Sequence, residues 1–125
     1  MSRATTVAVR NFLLASIAGL ILAGVSTAQI TPSADAYVSA ANPGVNYGAD
    51  TLLRVNGATD TTFIQFNLAS VPPGAVVSQA TLKLFVDSVA TPGSFNVNYV
   101  GGPWSEATVS GELAPALGGV EQQQQ

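Results

Sequence analysis

Hydrophobic residues follow two unlike patterns along the chain. From Phe12 to Val25 they form one continuous run, interrupted only by small residues such as Ser16, Gly19 and Gly24. After residue 33 they occur in short stretches rich in Val, Thr, Phe, Tyr and Leu: Ala34 to Ser39, Thr51 to Asn56, Thr61 to Leu68, Val76 to Val86 and Phe95 to Val100. Between these lie Asn42-Pro43-Gly44, Asn46-Tyr47-Gly48, Pro72-Pro73-Gly74 and Thr91-Pro92-Gly93. Such clusters make turns, because Gly and Asn tolerate positive φ and Pro presets its own φ. Within the stretches, Thr62, Ile64, Phe66 and Leu68 alternate with Phe63, Gln65 and Asn67, and Ala80, Leu82, Leu84 and Val86 alternate with Thr81, Lys83 and Phe85. A period of two predicts half-buried strands, with Ile64, Phe66, Leu82 and Leu84 facing a core. Leu53 and Val55 are expected on the same core, leaving Arg54 outward; Phe95, Val97 and Tyr99 point one way, Asn96 and Asn98 the other. No helical period follows residue 29. The expected fold is all-β, a sandwich or a barrel.

The continuous run has a different meaning. Arg3 and Arg10 precede it, and Ser26-Thr27-Ala28 with Gln29 follow it. A basic start, a short apolar stretch and a small-x-small site make a secretory signal peptide, a helix over residues 1–28 cleaved between Ala28 and Gln29. The run is shorter than the roughly 20 apolar residues that span a bilayer, so no stable membrane insertion is expected after cleavage. The chain contains no cysteine, which excludes a thioether lipid anchor as well as disulfides.

Cleavage changes the charge. The whole chain carries −3 at pH 7. The exported part keeps Arg54 and Lys83 against Asp35, Asp50, Asp60, Asp87, Glu106, Glu112 and Glu121, two bases against seven acids. Nucleic acid is excluded as a partner, because its binding depends on Lys and Arg neutralising phosphates. With no His and no Cys, Ser-His-Asp, Cys-His and His-bearing zinc chemistry are excluded as well. Paired carboxylates would serve a glycosidase, but the acids stand singly in loops and at strand starts. A non-catalytic protein is expected. The tail, ending in Gln122 to Gln125, has no core-forming residues, and 120–125 is expected to be disordered.

Six ordered elements carry a family resemblance: Asp35-Ala36-Tyr37-Val38, Asn46-Tyr47-Gly48, Leu52-Leu53-Arg54-Val55, Phe63-Ile64-Gln65-Phe66-Asn67-Leu68, Val71-Pro72-Pro73-Gly74-Ala75 with Ala80 to Val86, and Trp104-Ser105-Glu106-Ala107-Thr108-Val109. In this order they resemble the DNRLRE domain, carbohydrate-binding module family 96. The resemblance implies a jelly-roll-like β-sandwich over residues 29–119. It also implies a secreted, extracellular setting and a partner that is an extracellular polysaccharide, alginate-like acidic glycans among them. Family members continue for several further strands, so a partial domain is implied. The alternative is a structural or adhesive surface module with no glycan site.

Sugar recognition uses aromatic faces together with amide and cationic hydrogen-bond donors. The candidates are Arg54, Gln65, Lys83, Phe85, Asn96, Asn98 and Trp104. Arg54 and Lys83 are the only cations that remain for an acidic glycan. Trp104, the sole tryptophan, serves either as a stacking platform or as a plug in the core, and Tyr37 and Tyr47 pose the same choice. No cofactor is expected. Asp35 and Asp60, with loop carbonyls, are the candidate ligands for a structural Ca²⁺.

Overall fold

In the computed structural model of the chain, residues 28–124 are described, side chains up to residue 119. The expected signal helix lies outside the described residues. Four strands follow: β1 (Pro32–Ser39), β2 (Asp60–Phe66), β3 (Phe95–Val100) and β4 (Leu117–Gln124). They form two antiparallel pairs, β1 with β2 and β3 with β4. No helix among the described residues is long and apolar enough to cross a membrane. The fold is all-β.

β1 is the anchor. Its segment from Ala36 to Ser39 is buried on both faces. Ala36 and Val38 point into a cluster completed by Phe63 of β2 and by Val109, with Val100, Trp104 and Ala114 packed against it. The pairing register sets Ala36 opposite Phe63 and Tyr37 opposite Thr62. Alternation therefore puts Ala36, Val38, Thr61 and Phe63 on the core face, and Asp35, Tyr37, Thr62 and Ile64 on the other.

This register corrects the expected core. Phe63, expected outward, is 2% exposed, whereas Ile64 and Phe66 are only half-buried. Both alternating sets of β2 contain large apolar residues, so the partner strand decides which set goes inward. Two expected strands are also absent. Residues 51–52 form a bend and 53–55 have no regular structure, and Asn56 makes an isolated bridge to Asp60 across a tight turn. Gly57 occupies that turn at φ 49°, a conformation glycine adopts without Cβ strain. Residues 76–86 pair with no other strand, and Leu53, Val55, Leu82 and Leu84 are all exposed rather than in the core. Alternation says where side chains would point in a sheet; the ladder itself needs backbone groups on a second strand.

The tail differs from expectation too. Residues 120–124, expected to be disordered, belong to β4, with Gln122, Gln123 and Gln124 opposite Val97, Asn96 and Phe95. A ladder is made by main-chain groups, so a polar run can complete one without adding to a core.

Candidate functional site

The connection between β1 and β2, residues 40–59, is longer than most loops in compact domains, and such loops tend to carry function. Here it folds back over the outer face of β1. Tyr47 stacks on Tyr37, with ring centroids 4.3 Å apart and planes 16° from parallel. The guanidinium carbon of Arg54 lies 5.4 Å from the centre of the Tyr37 ring. The Tyr37 hydroxyl donates to Asp50 Oδ2 at 3.0 Å. Tyr37 itself is 2% exposed, while Tyr47 is half-buried and Asp50 and Arg54 are exposed. The result is an aromatic ring, Tyr47, stacked on a buried tyrosine that also engages one acid and one base.

Local geometry holds each part. The carbonyl of Arg54 accepts the Thr62 hydroxyl at 2.7 Å, fixing the main chain beneath the guanidinium. Asp50 N–H donates to the Tyr47 carbonyl at 3.2 Å, closing a turn that keeps the two residues adjacent. Burial raises the Tyr37 hydroxyl above its ordinary value of 10.0. The hydrogen bond to Asp50 adds to that rise by favouring the protonated phenol, and the Arg54 charge opposes it.

The residues expected from the sequence do not converge on one surface. Arg54 belongs to the tyrosine face. Gln65 pairs with Ala34 and shares the face of Phe63, on the side of the β1–β2 sheet opposite Tyr37. Lys83 and Phe85 lie in the stretch outside the ladders, Phe85 being 93% exposed. Asn96 is exposed on β3, and Asn98 Nδ2 donates to the Gly118 carbonyl at 3.0 Å. Trp104 is half-buried against Phe63, with centroids 5.7 Å apart and planes at 50°. That makes it a wall of the core. Asp35 and Asp60 share a face but stand four positions apart in register, about 13 Å along the strand. No group of three or more His, Cys, Asp or Glu side chains that could hold a metal ion occurs among the described residues.

Asp50 was not distinguishable from the other loop acids in the sequence. Its role comes from the turn that faces it toward Tyr37, thirteen positions earlier, and only the spacing Tyr47-x-x-Asp50 hints at that. An open depression of about 560 Å³ lies elsewhere, lined by residues including Gln29, Ile30, Pro32 and Asn67. It has no aromatic or charged side chain in its lining, so it offers a sugar ring nothing to stack on.

Comparison with curated proteins and with solved structures returns no match. Among protein families, the model described as carbohydrate-binding module family 96 matches residues 26–125.

Proposed function

The chain belongs to carbohydrate-binding module family 96, and from that premise we propose that it is a secreted, non-catalytic module that binds an acidic extracellular polysaccharide on the face of Tyr47, Asp50 and Arg54. The observation that carries this reading is the stack of Tyr47 on Tyr37 with Arg54 beside it. A pyranose ring laid on Tyr47 would bring its C–H face onto the aromatic surface, and Arg54, the one cation of this loop, lies over Tyr37, the ring on which Tyr47 stacks. Arg54 is free to change partners. A cation–π contact at an exposed site is worth about 0.5–1 kcal/mol, whereas each hydrogen bond to a charged group contributes about 1.5–3 kcal/mol. A uronate carboxylate taking two such bonds from the guanidinium outweighs the contact it displaces. Lys83, exposed in the stretch 76–86, is the remaining cation for a longer chain of sugars. Gln65, Phe85, Asn96, Asn98 and Trp104 receive no place on this face.

We read the two antiparallel pairs as parts of a jelly-roll-like sandwich. The support is Val100, at the end of β3, packing on the cluster contributed by β1 and β2. Export follows from the leader over residues 1–28; amino-terminal sequencing of the exported protein is expected to begin at Gln29.

Affinity electrophoresis in gels holding alginate, pectin or a neutral β-glucan tests the binding. Retardation is expected in the two uronate gels, and Arg54→Ala is expected to weaken it by about tenfold or more. Unretarded migration in every gel would sink the proposal. A second reading, a structural or adhesive module with no glycan site, draws on Val76, Val77, Phe85, Val86 and Val89, all apolar and exposed.

A further inference from the structure

We propose that Glu106 is the positioning residue of the tyrosine face, holding the loop of Tyr47 with its main chain and the strand of Tyr37 with its side chain. The inference rests on the reading of that face as the binding site and adds what keeps it assembled. Glu106 Oε1 accepts the main-chain N–H of Asp35 at 3.0 Å, two residues before Tyr37. Its carbonyl accepts Asn46 Nδ2 at 2.8 Å, one residue before Tyr47. The two stacked rings are thus tied to one residue that lies 71 positions beyond Asp35 and 60 beyond Asn46.

Asn46 and Gly48 complete the clasp. Asn46 Nδ2 also donates to the Val109 carbonyl at 2.7 Å, so the loop is fastened to a residue of the core cluster. Asn46 Oδ1 accepts the Gly48 N–H at 3.2 Å. A Cβ on Gly48 would overlap the Glu106 carbonyl oxygen, so the loop can lie this close only where position 48 has no side chain. The turn around Glu106 is itself fixed, since Thr108 N–H and Val109 N–H both donate to the Ser105 carbonyl.

The tyrosine stack cannot do this work alone. One aromatic pair contributes less than the entropy lost in ordering the loop residues that present it. Hydrogen bonds to a charged carboxylate and to the Glu106 and Val109 carbonyls supply the difference. Glu106 acts on the two rings through Asn46 and Asp35.

The test compares three variants of the full chain, Glu106→Gln, Glu106→Asp and Glu106→Ala. Gln retains an oxygen where Oε1 accepts Asp35 N–H, Asp retains the charge but is one methylene too short to reach, and Ala retains neither. Nuclear Overhauser contacts between the Tyr37 and Tyr47 rings report the stack without any ligand, and contacts between Phe63 and Trp104 report a folded core. Binding is followed separately with an alginate oligosaccharide as probe. Ala and Asp are expected to lose the inter-ring contacts while keeping the core contacts, and to weaken oligosaccharide binding by about tenfold; Gln is expected to keep both. Inter-ring contacts that survive in Ala and Asp overturn the clasp, whatever the oligosaccharide does. Gln behaving like Ala overturns it too, and so does loss of the core contacts in both Ala and Asp, which would make Glu106 a residue of general stability. Loss of the stack in Ala and Asp, with the parent chain binding no oligosaccharide, supports the clasp and refutes the binding site instead.

Discussion

Tyr37 joins burial to an engaged hydroxyl, and that combination gives it a signature in pH. Its hydroxyl is raised above the ordinary phenol value, first by burial and then by the bond to Asp50. The folded chain therefore keeps this proton to higher pH than the unfolded chain does. The contribution to stability is fully present below the ordinary phenol pKa and is lost as pH rises through the folded value. Urea midpoints measured between about pH 8 and about pH 11 are expected to fall at the alkaline end. In Tyr37→Phe that fall is expected to be shallower, because the titrating group is gone and Asp50, already exposed, needs no replacement partner. Nothing local in the sequence separates Tyr37 from Tyr47 or Tyr99; the shift arises from the loop laid over one of them.

β2 shows how far a pattern of alternation reaches. Its period of two is plain in the sequence, and the strand is found at Asp60–Phe66. Which face turns inward is a different question. Phe63 on one side and Ile64 with Phe66 on the other are both apolar, so the choice falls to the register with β1, where Phe63 meets Ala36. Phe63→Ala is expected to cost about 3–5 kcal/mol, and the half-buried Ile64→Ala to cost clearly less, as read by urea unfolding. The reverse order would show that the opposite face is the core. The bounds of β3 were legible, at Phe95–Val100, but its two irregularities, which interrupt the expected alternation of faces, and the exposure of Tyr99 were not. The stretches 51–56 and 76–86 carry the same kind of pattern and form no strand, because a pattern does not supply a partner. β4 arises in the converse way, from a glutamine run whose main chain completes a ladder that its side chains do not announce.

The molecule as a whole has a small buried cluster and a broad exposed apolar stretch. Ala36, Val38, Phe63 and Val109 make up the cluster. Val76 and Phe85, both 93% exposed, stand in water, as do Val77, Val86 and Val89 of the same stretch of chain. Apolar side chains left in water favour association when they gather into a patch. Sedimentation at rising concentration is expected to show self-association that Phe85→Asp reduces, with stability changed by no more than about 0.5 kcal/mol. Much about the protein follows from the order of its residues alone. Absent His and Cys exclude whole classes of chemistry, turn clusters and alternation predict an all-β chain, and the linear run of elements carries the family. These are properties of composition or of neighbours in sequence, and no folding is needed to read them. The inward face of β2, the separation of Gln65 from Arg54 by a sheet, the stacked tyrosines and the Glu106 clasp belong to the tertiary structure. Each depends on main-chain pairing or on hydrogen bonds between residues far apart along the chain, a relation that local periodicity does not contain.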